Sequence, residues 1–87
     1  MSEYNGWANY ETWRVNLEML DGMSCSDFGI TPDADEARDE LADALDSYCT
    51  ELVEMDAKGL ALDLARSFLD RVDWEEIAEH MLQDYAE

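Results

Sequence analysis

Apolar residues recur along the chain at helical spacing in four separate stretches, and strand-like alternation is almost absent. The first stretch follows Asn9, a good N-cap residue, with Glu11 in the first turn where the helix dipole favours an acid. Trp13, Leu17 and Leu20 form its stripe, Tyr10 lies one turn earlier, and Gly22 is a natural stop. Trp7 is expected to fold back over the start of this helix.

The second helix is expected to open at Thr31-Pro32-Asp33, with Thr31 as cap and Pro32 at the first helical position. Ala34, Ala37, Leu41, Leu45, Tyr48, Leu52 and Met55 then share one face, which predicts a helix of roughly 36 Å. A third helix is expected from about Ala57 to Leu69, with Leu60, Leu64 and Phe68 turned inward beside Ala61 and Ala65. The fourth opens on Asp73 as cap with Glu76 three residues later, an Asp version of the capping box. Its apolar face is Trp74, Ile77, Ala78, Met81, Leu82 and Tyr85. The segment around Pro32, from Gly22, reads as the one long loop. The fold class that follows is all-α: a small single-domain bundle of about four helices spanning residues 1–87.

Composition alters this picture through charge. The chain has 87 residues, enough for one small core, and 47% of them are hydrophobic, so it is a folding sequence. Against that stand 23 acids and 5 bases, a net charge of -18. Ordinary solubility asks for a magnitude of only ~2–8 in a small domain. Such a skin repels nucleic acid and anionic membranes, which excludes both as direct partners. The longest apolar stretch contains Asp63 and is too short to cross a membrane. Cys25 and Cys49 form no CxxC pair, and without a signal peptide they read as reduced thiols of a cytoplasmic protein.

The acids concentrate on the second helix. From Asp33 to Asp56 there are ten acids and one base, Arg38. Opposite the apolar stripe lie Glu36, Asp39, Asp43, Asp46, Thr50 and Glu54, flanked by Asp35, Glu40 and Glu51. Glu76 and Glu79 are expected to face outward on the fourth helix. Like charges three or four apart repel by roughly 0.2–0.5 kcal/mol per pair, so pairs such as Asp39/Asp43 and Asp43/Asp46 together cost about 1–3 kcal/mol. That is a noticeable fraction of the ~5–10 kcal/mol that stabilises a small domain. Carboxylates spaced along such a ridge can take positions that phosphates occupy in a basic groove. The candidate partner-binding set is therefore Asp35, Glu36, Asp39, Glu40, Asp43, Asp46, Glu51, Glu54, Glu76 and Glu79. The plain alternatives are a solvated face and salt adaptation, the latter predicting acids spread over the whole surface.

Catalytic chemistry finds little support. His80 is the only histidine; Glu76 and Glu79 near it make a weak metal site imaginable, but a solvated histidine is the simpler expectation. No glycine loop suits a phosphate, and no nucleophile–base pair is available beyond His80. Cys49 is most simply a packing residue, as are Trp7, Trp13 and Trp74. No enzyme activity, cofactor or metal is expected, and oligomeric state is open.

The stretch "NGWANYETW", Asn5 to Trp13, resembles the opening of a group of small domains found in phages and mobile elements. The ending "VDWEEIAEHMLQDY" is similar to their closing pattern through Trp74, Glu76, Ile77, Ala78, Glu79 and Leu82. The resemblance covers about a quarter of the chain and implies one packed unit with structural tryptophans rather than a mechanism. In charge and size, not in motif, the chain also resembles acidic DNA-mimic inhibitors used against restriction enzymes and CRISPR effectors. The expectation is a phage-type inhibitor of a host nucleic-acid-binding defence complex, anti-CRISPR or anti-restriction, acting in the host cytoplasm. The alternative is a non-catalytic adaptor domain that binds a partner through its Trp-rich end.

Overall fold

The structure is a computed structural model that describes residues 6–31 and 36–86, with side chains described to residue 83. Four α-helices and one 3-10 turn follow in order: α1 (Tyr10–Glu18), the 3-10 turn (Cys25–Phe28), α2 (Ala37–Asp56), α3 (Gly59–Asp70) and α4 (Trp74–Ala86). Among the described residues no strand forms, so the fold is a small all-α domain.

α2 is the spine. Its apolar stripe buries Ala37, Leu41, Leu45 and Cys49, the last three with no exposure. α4 lies along that stripe through Ile77, Ala78 and Met81, α3 folds back against it, and the 3-10 turn wedges against both α2 and α4. Phe28 meets Tyr48 edge-on at 5.5 Å, which docks the turn on α2. The turn is locally self-sufficient. Ser24 N–H donates to Asp27 Oδ2 at 2.8 Å, and Gly29 takes the left-handed conformation (φ 74°) needed to close it. What reads as a long loop is thus partly helical, and it delivers Cys25 to the core.

Several details depart from the expected pattern. α2 starts at Ala37, because Glu36 (φ -115°, ψ 34°) is not helical. Residues 32–35, with Pro32, Asp33, Ala34 and Asp35, lie outside the described residues. α1 ends at Glu18, three residues before the turn that holds Gly22. Its buried positions are Thr12 and Val15, whereas Leu17 is 48% exposed. α3 is rotated relative to expectation: Leu69 is buried, but Leu60 and Leu64 are exposed. Met55, the last member of the α2 stripe, is exposed as well. Helical spacing defines a stripe but does not say how much of it a neighbour covers. α3 packs chiefly against α2, with Phe68 also meeting Tyr10 of α1, so its stripe overshoots the contact.

The two ends of the chain meet at a polar clasp. Asn9 Oδ1 accepts from Thr12 N–H at 2.8 Å and so caps α1. Asn9 Nδ2 donates to the Arg71 carbonyl at 2.7 Å. Thr12 Oγ1 donates to Asn9 Oδ1 at 2.6 Å and accepts from Asp73 N–H at 2.8 Å. Asp73 caps α4 by accepting from Glu76 N–H at 3.1 Å. The reciprocal half of that capping box is diverted: Glu76 Oε1 accepts from Ala8 N–H at 2.8 Å. Trp7 stacks on His80 with ring centroids 4.3 Å apart. The residues of "WANYET" and "DWEE" are therefore partners in one joint between α1 and α4.

Candidate partner-binding surface

α2 offers the densest charge because burial on one side fixes which side faces water. Of its twenty residues seven are acids and one is basic. Asp39, Glu40, Asp43, Asp46, Glu51, Glu54 and Asp56 are all exposed, and Glu36 is exposed just before the helix. From Glu36 to Glu54 the ridge runs about 27 Å at helical rise. α2 itself, Ala37–Asp56, spans about 30 Å at helical rise, against the roughly 36 Å expected of a helix whose opening falls on residues outside those described.

Bases answer this charge at two points only among the described residues. Arg66 of α3 donates to Glu54 Oε2 at 2.7 Å. Arg38 lies between α2 and α4, with Nε 3.6 Å from Asp39 Oδ1 and Nη1 3.5 Å from Glu79 Oε2. Glu75, then Asp39 and Glu79, hold its guanidinium pKa above the ordinary arginine value. Asp46 Oδ1 accepts from the Thr50 hydroxyl at 3.1 Å. Glu40, Asp43, Asp46 and Glu51 make no ion pair among the described residues.

The arrangement brings together acids from two helices. Glu36, Asp39 and Glu79 border one hollow with Arg38 and Gln83, so the α2 ridge continues onto α4 around Arg38. Glu75 belongs with them and was not expected there; its i, i+4 relation to Glu79 was the available signal. Glu76 is a correction: it is half-buried and holds Ala8 N–H instead of facing outward with the ridge. Asp35 lies outside the described residues. Exposed acids also occur elsewhere, as Glu18, Asp21, Asp27, Asp63 and Asp70. The ridge is thus a concentration within an acidic surface.

The remaining chemistry is sparse. His80 is exposed against Trp7, and no cluster of three or more metal-ligating side chains occurs among the described residues. Cys49 is enclosed in the core, where burial foremost and then Asp46 push its thiol pKa up to about 12. It is a packing residue. Trp7, Trp13 and Trp74 are half-buried, and Trp7 and Trp74 pack against the core cluster. No helix is long and apolar enough to cross a membrane among the described residues.

A family model described as a family of unknown function, DUF7249, matches residues 1–86. The chain belongs to this family. No curated protein and no solved structure matches it. The match takes in both halves of the clasp and the whole acidic ridge, so in this DUF7249 domain the joint and the charged surface belong to one unit.

Proposed function

We propose that this DUF7249 domain is a protein-binding inhibitor that occupies the basic nucleic-acid channel of a host defence complex, with its acidic surface in the place of a nucleic-acid backbone. The observation that carries the reading is the α2 ridge: seven acids on one helix, answered among the described residues by two bases, Arg38 on α2 itself and Arg66 on α3. Glu75 and Glu79 extend the surface past Arg38. A channel built of Lys and Arg would relieve the repulsion among these carboxylates and release counterions as it does on DNA. The binding set is Glu36, Asp39, Glu40, Asp43, Asp46, Glu51, Glu54, Glu75 and Glu79. No cofactor, metal or catalytic step enters. The place of action is the host cytoplasm, and the target class is a CRISPR effector or a restriction enzyme.

The test is capture from host lysate on immobilised domain, washed at low salt and eluted with rising salt. A nuclease or effector subunit should be retained, released at moderate salt and displaced by competing duplex DNA. If about six carboxylates replace phosphates, affinity should fall about a thousandfold between 50 and 200 mM salt. The triple reversal Asp39→Lys, Asp43→Lys, Asp46→Lys should keep its helical circular dichroism and retain nothing. Equal recovery by that variant would refute the mimicry.

A second reading, a non-catalytic adaptor domain, draws on a different observation. Leu60, Leu64 and Met55 are 73%, 62% and 77% exposed. This apolar exposure lies on α3 and the end of α2, whereas the Trp-rich end is half-buried.

A further inference from the structure

α1 and α3 diverge over the core and leave a groove that no part of the described chain covers. Val15, Val53 and Leu69 form its floor, and Met19, Leu64 and Phe68 its walls, around about 400 Å³. A second hollow of about 290 Å³ shares Met19, Val53 and Ala65 and carries the groove on to Asp56 and Ala57. From Gly59 to Phe68 the α3 wall runs about 14 Å at helical rise, between two and three turns. Leu64 lines the groove and Leu60 stands one turn before it on α3, both mostly in water. An apolar trough of this length, edged by side chains at i, i+4 spacing, is the form in which one helix receives another.

Charge decides what the second helix is. The acids at the groove are Glu18 on α1 and Asp56 at the far end, and its one lining base, Arg14, is ion-paired with Glu18. A second copy of the chain would bring the same acids and another net -18. Of the bases beside its own exposed stripe, Arg66 is already ion-paired with Glu54, and Lys58 is outnumbered by Asp56, Asp63 and Asp70. We propose that the α1–α3 groove seats an amphipathic helix of a partner protein, with an apolar stripe bordered by Lys and Arg. Met19 supplies an adaptable side chain in the seat. This surface is separate from the α2 ridge, and the proposal stands whether or not the ridge mimics nucleic acid.

The test uses the full chain and an 18-residue helical Leu/Lys peptide with a single apolar stripe, followed by ¹H–¹⁵N NMR and fluorescence anisotropy. A peptide of the same composition with the stripe scrambled, and one with Glu in place of Lys, are compared. The striped Leu/Lys peptide should shift the amides of Val53, Ala65 and Leu69 and bind at least tenfold more tightly than either relative. The exposed pair Leu60→Gln, Leu64→Gln should keep the melting temperature and lose at least tenfold in affinity. The Asp39→Lys, Asp43→Lys, Asp46→Lys chain should bind within about threefold of wild type, which separates this surface from the ridge. Unchanged affinity in the Leu60/Leu64 variant, or shifts confined to α2, would overturn the proposal. So would a wild-type dimer in sedimentation that the same variant dissolves, because the occupant would then be a second copy.

Discussion

Replacing Thr12 with Val tests whether the α1–α4 clasp holds the fold together. Thr12 is the buried polar residue of the described core, with no exposure. Val keeps the β-branched shape and deletes one oxygen that makes two hydrogen bonds, to Asn9 Oδ1 at 2.6 Å and from Asp73 N–H at 2.8 Å. Asn9 Oδ1 keeps the Thr12 backbone donor, so the α1 cap survives. Asp73 N–H loses its acceptor, and stranding such a donor costs about 1–3 kcal/mol. Burying a methyl group in place of the hydroxyl returns up to about 0.8 kcal/mol. With the lost bond to Asn9, worth about 1 kcal/mol, the net destabilisation is about 2 kcal/mol. For a domain of this size that lowers the melting temperature by about 8–16 °C. Thermal and urea melts followed by circular dichroism measure it, and hydrogen exchange localises it: the Asp73 amide should exchange at least tenfold faster. A Thr12→Val chain melting within 2 °C of wild type, with Asp73 still protected, would refute the bridging role. The ridge is untouched by this change, so binding through α2 should persist well below the melting point.

Two further expectations concern charge and the buried thiol. Raising NaCl from 10 mM to 0.5 M should raise the melting temperature, because it screens repulsion among exposed carboxylates; a melting temperature that falls with salt would contradict the repulsive ridge. Cys49 should resist thiol reagents at pH 8 until the chain unfolds. Its folded pKa is raised from 9.0 to about 12, so the unfolded state sheds the proton first, and stability should be full below pH 9 and fall as pH climbs towards 12. Rapid labelling of Cys49 in the folded chain would show that the core opens there.

The helices were legible because period and caps agree. Asn9 and Asp73 each cap where their side chains predict, and Leu41, Leu45, Ile77 and Met81 lie in the core as their spacing requires. Coverage was not legible. Leu17, Leu60 and Leu64 obey the helical period, yet only the neighbour's position decides whether they are buried. The outward positions Asp39, Asp43 and Glu79 were readable as the complement of the stripe. Glu76 was not, because its acceptor oxygen is taken by a backbone N–H from 68 residues earlier. The pairing of Ala8, Asn9 and Thr12 with Arg71, Asp73 and Glu76 is likewise invisible to local pattern.

The energetics separate the acids from the fold. Burying Leu41 or Leu45 fully is worth about 1.5–3 kcal/mol each, and both have no exposure. Either one offsets the ~1–3 kcal/mol of repulsion along the opposite face of the same helix. The stripe therefore fixes α2 in place without help from the ridge. Position in the helix favours only Asp39 and Glu40, in the first turn, where the dipole stabilises acids. The last turn of α2 holds Glu54 and Asp56 and no base, where the dipole disfavours acids. Residues that cost stability, face water and sit on a helix already anchored by its other side are not explained by folding. On the proposed reading, a surface rich in Lys and Arg that approaches from outside turns the cost into affinity.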